Sequence, residues 1–450
     1  MSNQLNPKTM DIKVWENLAS SKPLSAYSIF CGMKEYPQST RKKLEEGNTF
    51  GFDKWEMHVK KKGKSYEENI EELKSTYYGS FVDTVFSKED NTNKKNSGSE
   101  FEKHTHRLTL KINRKHKITI KKKDSEQNFN IKFEYLDLFF FPDGLMFNCF
   151  KCNLTEFTFN QITAINNYLR DTEEAKSDLK FLTDNLLPLN LIDTDDANSN
   201  LQSFGNKMKL FSIIVHNENL TPEQKKMLLY DIGTCYPIGA ASGINPNFTP
   251  SDEYFEELMK ENKISIFENW SALALFDTFT GLFHKGVYNF NWESVYFNLL
   301  YIPSLYVKTH LFKVNQEFYA KDADHQKLDD QLFDFNKYYN PSHISHNFLP
   351  SIIFKKIRYA LAIDDELNQL KIRIGRANQI RKDKTDKKMN YALAVIAVLT
   401  IVSVLWDASE WSNKLFFKGT PNYFIISGSV VSVMLIVFGI LYLYRRFRNR

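Results

Sequence analysis

The sequence is poor in cysteine, and this limits the chemistry expected of it. Four cysteines occur in 450 residues, at positions 31, 149, 152 and 235. Cys149 and Cys152 form a C-x-x-C pair, but the segment GLMFNCFKC around them has the pattern of a strand, which places side chains three apart on opposite faces. The sequence has no second pair and no neighbouring histidine to complete a tetrahedral site. We therefore expect reduced thiols and no structural zinc.

Several other signals are also missing. The N-terminus, MSNQLNPKTMDIK, has no apolar stretch of the kind found in secretory signals, so most of the chain is expected in the cytosol. The loop GAASGINPNFTP (239–250) lacks the glycine spacing of a phosphate-binding loop. The net charge of +5 is too dilute over this length to predict direct nucleic-acid binding. We find no catalytic constellation and predict that the protein is not an enzyme.

Two long runs without charge occur near the C-terminus. Residues 391–406 and 423–444 contain sixteen and twenty-two residues without a charged side chain. Extended by Met389 and Asn390, the first run spans roughly 27 Å and the second roughly 33 Å as helices, against a hydrocarbon core of about 30 Å. We predict transmembrane helices over 389–406 and 423–444, joined by an outward hairpin over 407–422 and followed by a basic cytosolic tail over 445–450.

Basic residues flank these runs. RKDKTDKK (381–388) precedes the first and RRFRNR (445–450) follows the second, whereas the hairpin carries only Lys414 and Lys418. The positive-inside rule then places both termini in the cytosol and makes the chain a multi-pass protein of the inner membrane. The residues that we call the basic collar would repel cations at the inner neck of a pore or bind anionic lipid headgroups; they are Arg381, Lys382, Lys384, Lys387 and Lys388.

The preceding residues indicate an α+β cytosolic domain with a mostly antiparallel sheet. Residues 107–152 contain four or five alternating segments, and TFNQITAINNYLRD (158–171) follows as a helix. We expect a poorly ordered or variable segment over 1–50, an α/β part over 51–190, a linker over 191–206, a helical layer over 207–341 and a stalk helix over 342–388. A seam at heptad spacing predicts that the stalk packs on neighbouring helices; it comprises Ala360, Ile363, Leu367, Leu370, Ile374 and Ala377.

This order of elements resembles the CorA family of divalent-cation channels. The local likeness lies in FFFPDGLMFNCF (139–150), LTEFTFNQITAINNYLR (154–170) and the run from the stalk into the first span (373–406). The resemblance implies a homo-oligomer, a pentamer, that carries Mg²⁺ or a similar divalent cation and has no covalently bound cofactor. The family's Gly-Met-Asn signature is missing: the corresponding region reads WDASEWSNK, in which Asn413 is a candidate remnant. In the family this signature forms the selectivity ring for a hydrated magnesium ion, so its absence removes the expected basis for magnesium selectivity.

CorA-like proteins of this divergent kind also accompany type III CRISPR systems, and that resemblance implies an antiviral effector gated by a nucleotide second messenger. A nucleotide site needs aromatic faces for the base and donors for the phosphates. By residue type alone, the candidates are Trp270, Phe276, Lys285 and Tyr288. Ordinary packing in a chain with 14% aromatic residues is the competing interpretation of each.

One face of the first apolar run is more polar than its other faces. This stripe predicts the pore lining if several copies surround an axis, because two helices cannot enclose a water-filled path; its members are Asn390, Leu393, Ala397, Thr400, Val404 and Asp407. Asp407, Glu410 and Asn413 would then form the outer mouth. Continuing the stalk heptad would instead turn Tyr391, Val395, Val398 and Val402 inward, and Thr400 could bond back to its own helix. The alternative function is a membrane-anchored sensor or scaffold that conducts nothing.

Overall fold

The computed structural model describes residues 12–55, 64–86, 105–122, 125–189, 207–287, 292–320, 323–341 and 343–416, and the single positions 432, 436 and 439. The strands are β1 (Ser25–Glu35), β2 (Asp53–Lys54), β3 (His106–Lys122), β4 (Ser125–Phe140), β5 (Leu145–Asn153), β6 (Lys209–His216), β7 (Lys263–Phe267), β8 (Trp270–Ala274) and β9 (Thr278–His284).

The helices surround and follow these strands. They are α1 (Ile12–Ser20), α2 (Gln38–Glu45), α3 (Tyr66–Lys74), α4 (Gly79–Phe86), α5 (Phe159–Arg170), α6 (Lys176–Thr183), α7 (Pro222–Thr234), α8 (Asp252–Asn262), α9 (Ile302–Phe318), α10 (His325–Tyr339), α11 (Phe348–Ala360) and α12 (Ile363–Phe416). A 3₁₀ helix (Asp184–Leu189) follows α6, and a π-helix (Trp292–Tyr301) leads into α9. A mixed α+β domain with a long C-terminal helix is therefore present, as the sequence predicts.

All nine described strands belong to one sheet, in the order β2-β3-β4-β5-β1-β6-β9-β8-β7. Every pair is antiparallel except β6 and β9, which run parallel. Strand β1 lies between β5 and β6 and so joins the two halves of the sheet. Within the range 1–50, for which the sequence predicts a poorly ordered or variable segment, the apolar stretch SAYSIFCG (25–32) supplies a central, buried strand.

The sequence predicts four or five strands over 107–152, but the structure has three. The segments RLTLKIN and HKITIKKK form one strand, β3, because a bulge between Lys111 and Arg114 lets the ladder with β4 continue past a register shift. Asn113 adopts a φ of 43° at this point. Strand β5 is buried along almost its whole length, and its Cys149 and Cys152 are free, buried thiols.

Helix boundaries on either side of the sheet follow from local capping. At the start of α5, Thr158 and Gln161 form a capping box, and Thr221 and Gln224 do the same for α7. These helices confirm the predictions of a helix over 158–171 and of Thr221 as an N-cap. The range predicted as a helical layer, 207–341, also contains strands β6 to β9, which join the sheet.

The predicted stalk is not one continuous helix. Helix α11 ends at Ala360, and α12 begins at Ile363 after Ala362, whose φ of 51° lies in the left-handed region and interrupts the helical hydrogen bonds. Arg358 on α11 pairs with Asp364 on α12 across this corner. Four members of the predicted seam are already buried within the chain, so they are not available to neighbouring subunits: Ile363, Leu367, Leu370 and Ile374.

The described residues form two compact units, which divide between residues 323 and 324, 329 and 330, and 370 and 371. The first unit holds the whole sheet. The second includes the start of α10 and the part of α12 from residue 371 onward. Within the second unit, Arg381 pairs with Asp324 at 3.1 Å and Asn378 donates to Asp329 at 3.4 Å.

Candidate functional site

The apolar part of α12 is exposed. Among the described residues, one helix is long and apolar enough to cross a membrane by length and composition, and none of its most apolar window is buried. Leu393, Leu399, Val404 and Trp406 are each more than half exposed, at 57%, 62%, 60% and 63%. An exposed apolar surface of this extent indicates contact with a membrane or with a partner protein, because contiguous apolar patches are small on soluble monomeric proteins. The predicted second span, 423–444, lies outside the described residues apart from three single positions.

All six residues of the predicted pore stripe lie on this one continuous helix. Asn390, Leu393, Ala397, Thr400, Val404 and Asp407 are all exposed. At about 100° and 1.5 Å per residue, they occupy one sector about 100° wide and about 25 Å long. The Thr400 hydroxyl donates to the carbonyl of Ile396 at 2.9 Å, so it bonds back to its own helix as the alternative interpretation has it.

The residues predicted to form the outer mouth also lie on α12. The structure differs here from the predicted hairpin over 407–422, because the helix continues through Phe416. Asp407 and Glu410 are exposed and lie three residues apart, which places them on adjacent turns of one face. Asn413 falls within the same helix, and residues 417–422 lie outside the described part. The carboxylates are therefore presented by a helix rather than by a loop.

The basic collar occupies the two helical turns just before the apolar segment. Its members are exposed, and Arg381 pairs with Asp324 at 3.1 Å, with both side chains 58% exposed. Asp383 and Asp386 interrupt the basic residues, so residues 381–388 carry five basic and two acidic side chains. The collar thus remains net positive where a membrane surface would meet the helix.

Of the three candidate ligand residues that the structure describes, Phe276 lies apart from Trp270 and Lys285. Trp270 is 8% exposed in β8, where it stacks on Phe283 at 5.7 Å and meets Trp292 edge to face at 5.2 Å. Phe276 lies at the opposite end of the β8–β9 hairpin, and Lys285 is an exposed residue beyond β9. Tyr288 lies outside the described residues. Packing explains Trp270, and Phe276 is the member with a distinctive environment.

Two ammonium groups flank the ring of Phe276. This ring is 49% exposed; the Nζ atom of Lys209 lies 3.8 Å from its centroid, and that of Lys308 lies 5.3 Å from it. Cations at these distances are attracted to the negative face of an aromatic ring. The hairpin tip therefore presents a half-exposed aromatic face beside two positive charges.

A shared carboxylate holds these charges in place. Asp277 accepts from Lys209 at 2.7 Å and pairs with Arg170 at 3.2 Å, while Lys209 also donates to the carbonyl of Phe276 at 3.0 Å. Burial lowers the pKa of Lys209 below its ordinary value, although Asp277 opposes this effect. Burial would raise the pKa of Asp277, but Lys209 and Arg170 outweigh it and hold that pKa below its ordinary value. We call Arg170, Lys209, Phe276, Asp277 and Lys308 the hairpin cluster.

The hairpin cluster contacts the first turn of α12 through Lys308. On α9, Lys308 pairs with Glu366 at 2.7 Å, and these side chains are 12% and 32% exposed. An anion that binds Lys308 would compete with Glu366 for the same ammonium group. Of the hairpin cluster, local sequence patterns identify only Phe276. Lys209 and Asp277, for example, are far apart in sequence and meet only because β6 pairs in parallel with β9. The sequence offers one signal, a lysine at the start of a largely apolar segment, KLFSIIVH, which the structure buries along its whole length.

Comparisons with known proteins add little to this picture. No family model and no curated protein matches the chain. A solved structure described as that of the full-length CmaX protein matches with a TM-score of 0.20 at 9% sequence identity, and the match covers 54% of this chain and 89% of that one. A TM-score this low carries no argument about fold or function.

Proposed function

We propose that the chain is the subunit of a homo-oligomeric, CorA-like membrane channel for cations. The observation that carries the proposal is the exposed apolar segment of α12, with one polar stripe that ends at Asp407. Several copies are needed, because one or two helices cannot surround a path for ions. Lipid would cover the apolar faces of the helix, and the stripe would face the axis.

The charge at the predicted outer mouth supports cations as the conducted species. Asp407 and Glu410, repeated around an axis, would form two carboxylate rings of the kind that attracts cations to a pore. A divalent ion such as Mg²⁺ and a subunit number of five follow from the resemblance to the CorA family. Both termini in the cytosol and an inner-membrane location belong to the same proposal, and they rest on the distribution of basic residues.

Gating by a nucleotide second messenger, in an antiviral role beside a type III CRISPR system, completes the proposal. The hairpin cluster supports it, because Phe276 offers a face for a base and Lys308 an ammonium group for a phosphate. A phosphate on Lys308 would weaken its pair with Glu366 and so alter the contact between α9 and the first turn of α12. The Lys308 pair is thus the proposed point at which ligand binding acts on the channel helix.

A membrane-anchored sensor or scaffold is the second candidate. It is favoured by the basic collar, which suits anionic headgroups equally well. In this function the hairpin cluster would still bind ligand, but α12 would only hold the folded unit at the membrane. The polar stripe would then have no role in transport.

Flux into liposomes separates the two functions. The full chain is reconstituted into liposomes that contain a dye sensitive to divalent cations, and Mg²⁺ is added outside with and without candidate nucleotides. The channel predicts dye response in protein-containing liposomes and a change in rate on adding an effective nucleotide. No response under any condition, from liposomes shown to contain folded protein, contradicts the channel and favours the anchor.

A further inference from the structure

Four lysines of the β3–β4 hairpin lie on one face of the sheet. Strand β3 contains seven basic residues and no acidic residue. Lys115, Lys117 and Lys121 are exposed and, being separated by even numbers of residues, they point to the same side of the strand. Lys132 on β4 is also exposed and is the direct cross-strand partner of Lys115. We call Lys115, Lys117, Lys121 and Lys132 the lysine face.

Two acids reduce the charge of the lysine face but do not cancel it. Glu156 pairs with Lys115 at 2.9 Å, and the exposed Glu126 is the cross-strand partner of Lys121. Four lysines and two acids leave a formal charge of +2 on this surface. Like charges directly opposite each other on neighbouring strands are unfavourable, and Lys115 and Lys132 are such a pair. An anionic surface over the face would relieve this repulsion.

Protection of a sheet edge explains only part of the lysine face. Beyond Thr109, β3 pairs with β4 alone among the described strands, and lysine on an edge strand discourages pairing with other sheets. Lys132, however, lies on β4 at a position that pairs with both β3 and β5. An edge role therefore does not account for the lysine opposite Lys115.

The far edge of the same sheet carries an acidic helix. Helix α8 has five acidic residues and one lysine, and it leads directly into β7, the last strand of the sheet. Phe255 and Met259 bury one side of α8, and Glu253 and Glu257 on its other side are exposed. Strands β3 and β7 are seven positions apart in the sheet, which corresponds to roughly 34 Å. The lysine face and α8 therefore do not meet within one chain.

A small cavity beside α8 suits the side chain of a lysine. Its volume is about 50 Å³, and it is lined by three carboxylates, those of Glu223, Asp252 and Glu256, and by the apolar side chain of Phe255. A lysine packs its apolar stem on such a wall while its ammonium group stays among polar partners. Lys226 of the same chain pairs with Glu256 at 2.6 Å, so this surface already binds one ammonium group.

A second acidic helix, α3, is a weaker counterpart for the lysine face. Its Glu71 and Glu72 already pair with lysines close to them in the sequence. Helix α3 also lies at the same end of the sheet as the lysine face, because it packs with α4, whose Phe86 contacts Trp55 beside β2. A contact built from this one end would be two-fold and would close at a dimer, whereas a contact between opposite ends continues to further copies.

We propose that the lysine face of one copy docks on α8 of the next copy, head to tail. This inference rests on the proposed homo-oligomer and names the surfaces that join its subunits. Lys117 and Lys121 approach Glu253 and Glu257, and the positive end of one sheet meets the negative end of the next. A contact between unlike surfaces that closes on itself forms a ring, which is the arrangement that a pore along its axis needs.

Crosslinking of the full chain in detergent micelles with a short bismaleimide tests this proposal. Wild type should give no crosslink, because its four cysteines are buried. Lys117→Cys combined with Glu257→Cys should give a ladder of dimers and larger multimers, because each copy then carries both reactive ends. Each single variant should give no crosslink. Lys117→Cys combined with Glu67→Cys, an exposed acid on α3, is the matched control and should give no intermolecular product.

Charge reversal in the same background tests the electrostatic part of the contact. Adding Lys121→Glu to the Lys117→Cys and Glu257→Cys pair should slow crosslinking about fivefold, because one exposed attraction becomes a repulsion. Adding Glu253→Lys as well should restore the rate, whereas Glu67→Lys should not. All these side chains are exposed, so the fold is expected to stay intact, which a thermal melt of each variant verifies.

The mass of the protein in the same micelles, measured by light scattering before crosslinking, separates the possible failures. An oligomer whose double variant gives no crosslink would overturn this inference and leave the proposed channel unaffected. Crosslinking by Lys117→Cys alone would show a two-fold contact and would also overturn it. Loss of the ladder when an anionic phospholipid is added at constant ionic strength would assign the lysine face to lipid headgroups instead. A monomeric mass would contradict both the inference and the proposed oligomer.

Discussion

Replacing Asp277 with Asn removes the carboxylate that Lys209 and Arg170 share. The side chains of these two cations are 1% and 6% exposed, so the substitution leaves two buried positive charges without their common partner. Breaking a fully buried pair costs about 3–5 kcal/mol. Asp277 itself is 46% exposed, and solvent screening reduces the expected loss of unfolding free energy to about 2 kcal/mol.

Denaturant unfolding of the full chain in detergent, followed by tryptophan fluorescence, measures this loss. Trp270 and Trp292 pack together in the same unit and report its unfolding. Asp365→Asn, an exposed acid in the first turn of α12, is the matched control and should stay within about 0.5 kcal/mol of wild type. Lys209→Met combined with Asp277→Asn should recover part of the loss, because one of the stranded charges is then absent.

The pH dependence provides a second readout. The pKa of Asp277 is lowered in the folded chain, so its contribution is fully present above its unfolded value of about 3.9 and is lost as pH falls through the folded value. The difference between wild type and Asp277→Asn should therefore shrink in strong acid. An Asp277→Asn protein as stable as wild type at pH 7 would refute the described role of the hairpin cluster.

Three further outcomes are expected. Burial lowers the pKa of His216 to about 4, so stability should fall as pH drops from about 6.5 towards that value, and a His216→Gln protein should show a flatter dependence in thermal melts across this window. Lys151→Met strands Glu293 and Glu134, whose side chains are 11% and 21% exposed, and should cost about 3–5 kcal/mol in denaturant unfolding, part of which Glu293→Gln should restore. Asp407→Asn should reduce divalent-cation flux in liposomes severalfold, whereas unchanged flux would remove Asp407 from the pore.

The sequence predicts those parts of the fold that local periodicity determines. Strands β3 to β5 alternate or form apolar runs between turn residues, and α5 and α7 begin at recognisable capping boxes. Strands β8 and β9 are short and almost fully buried, so they show no alternation that distinguishes them from helix, and the sequence does not predict them. The break at Ala362 also has no signal in the sequence, since neither glycine nor proline marks it.

The candidate sites were harder to predict than the fold. Residue type alone identifies Phe276 as a candidate, but the two lysines beside it come from β6 and α9, which only tertiary packing brings near. Trp270 satisfied the same residue-type criterion and is a core residue. By contrast, the apolar segment of α12 is evident from its composition alone, because recognising it requires no knowledge of tertiary contacts.

Recording single-channel currents from the full chain in a planar bilayer tests the central claim, ion conduction by an oligomer, most directly. With a Mg²⁺ gradient across the bilayer, the channel predicts discrete current steps whose reversal potential has the sign of a cation-selective pore. Asp407→Asn should reduce the step size under the same conditions. A silent bilayer, from protein shown to have inserted and with candidate nucleotides present on the side of the unit that holds the sheet, would contradict the account.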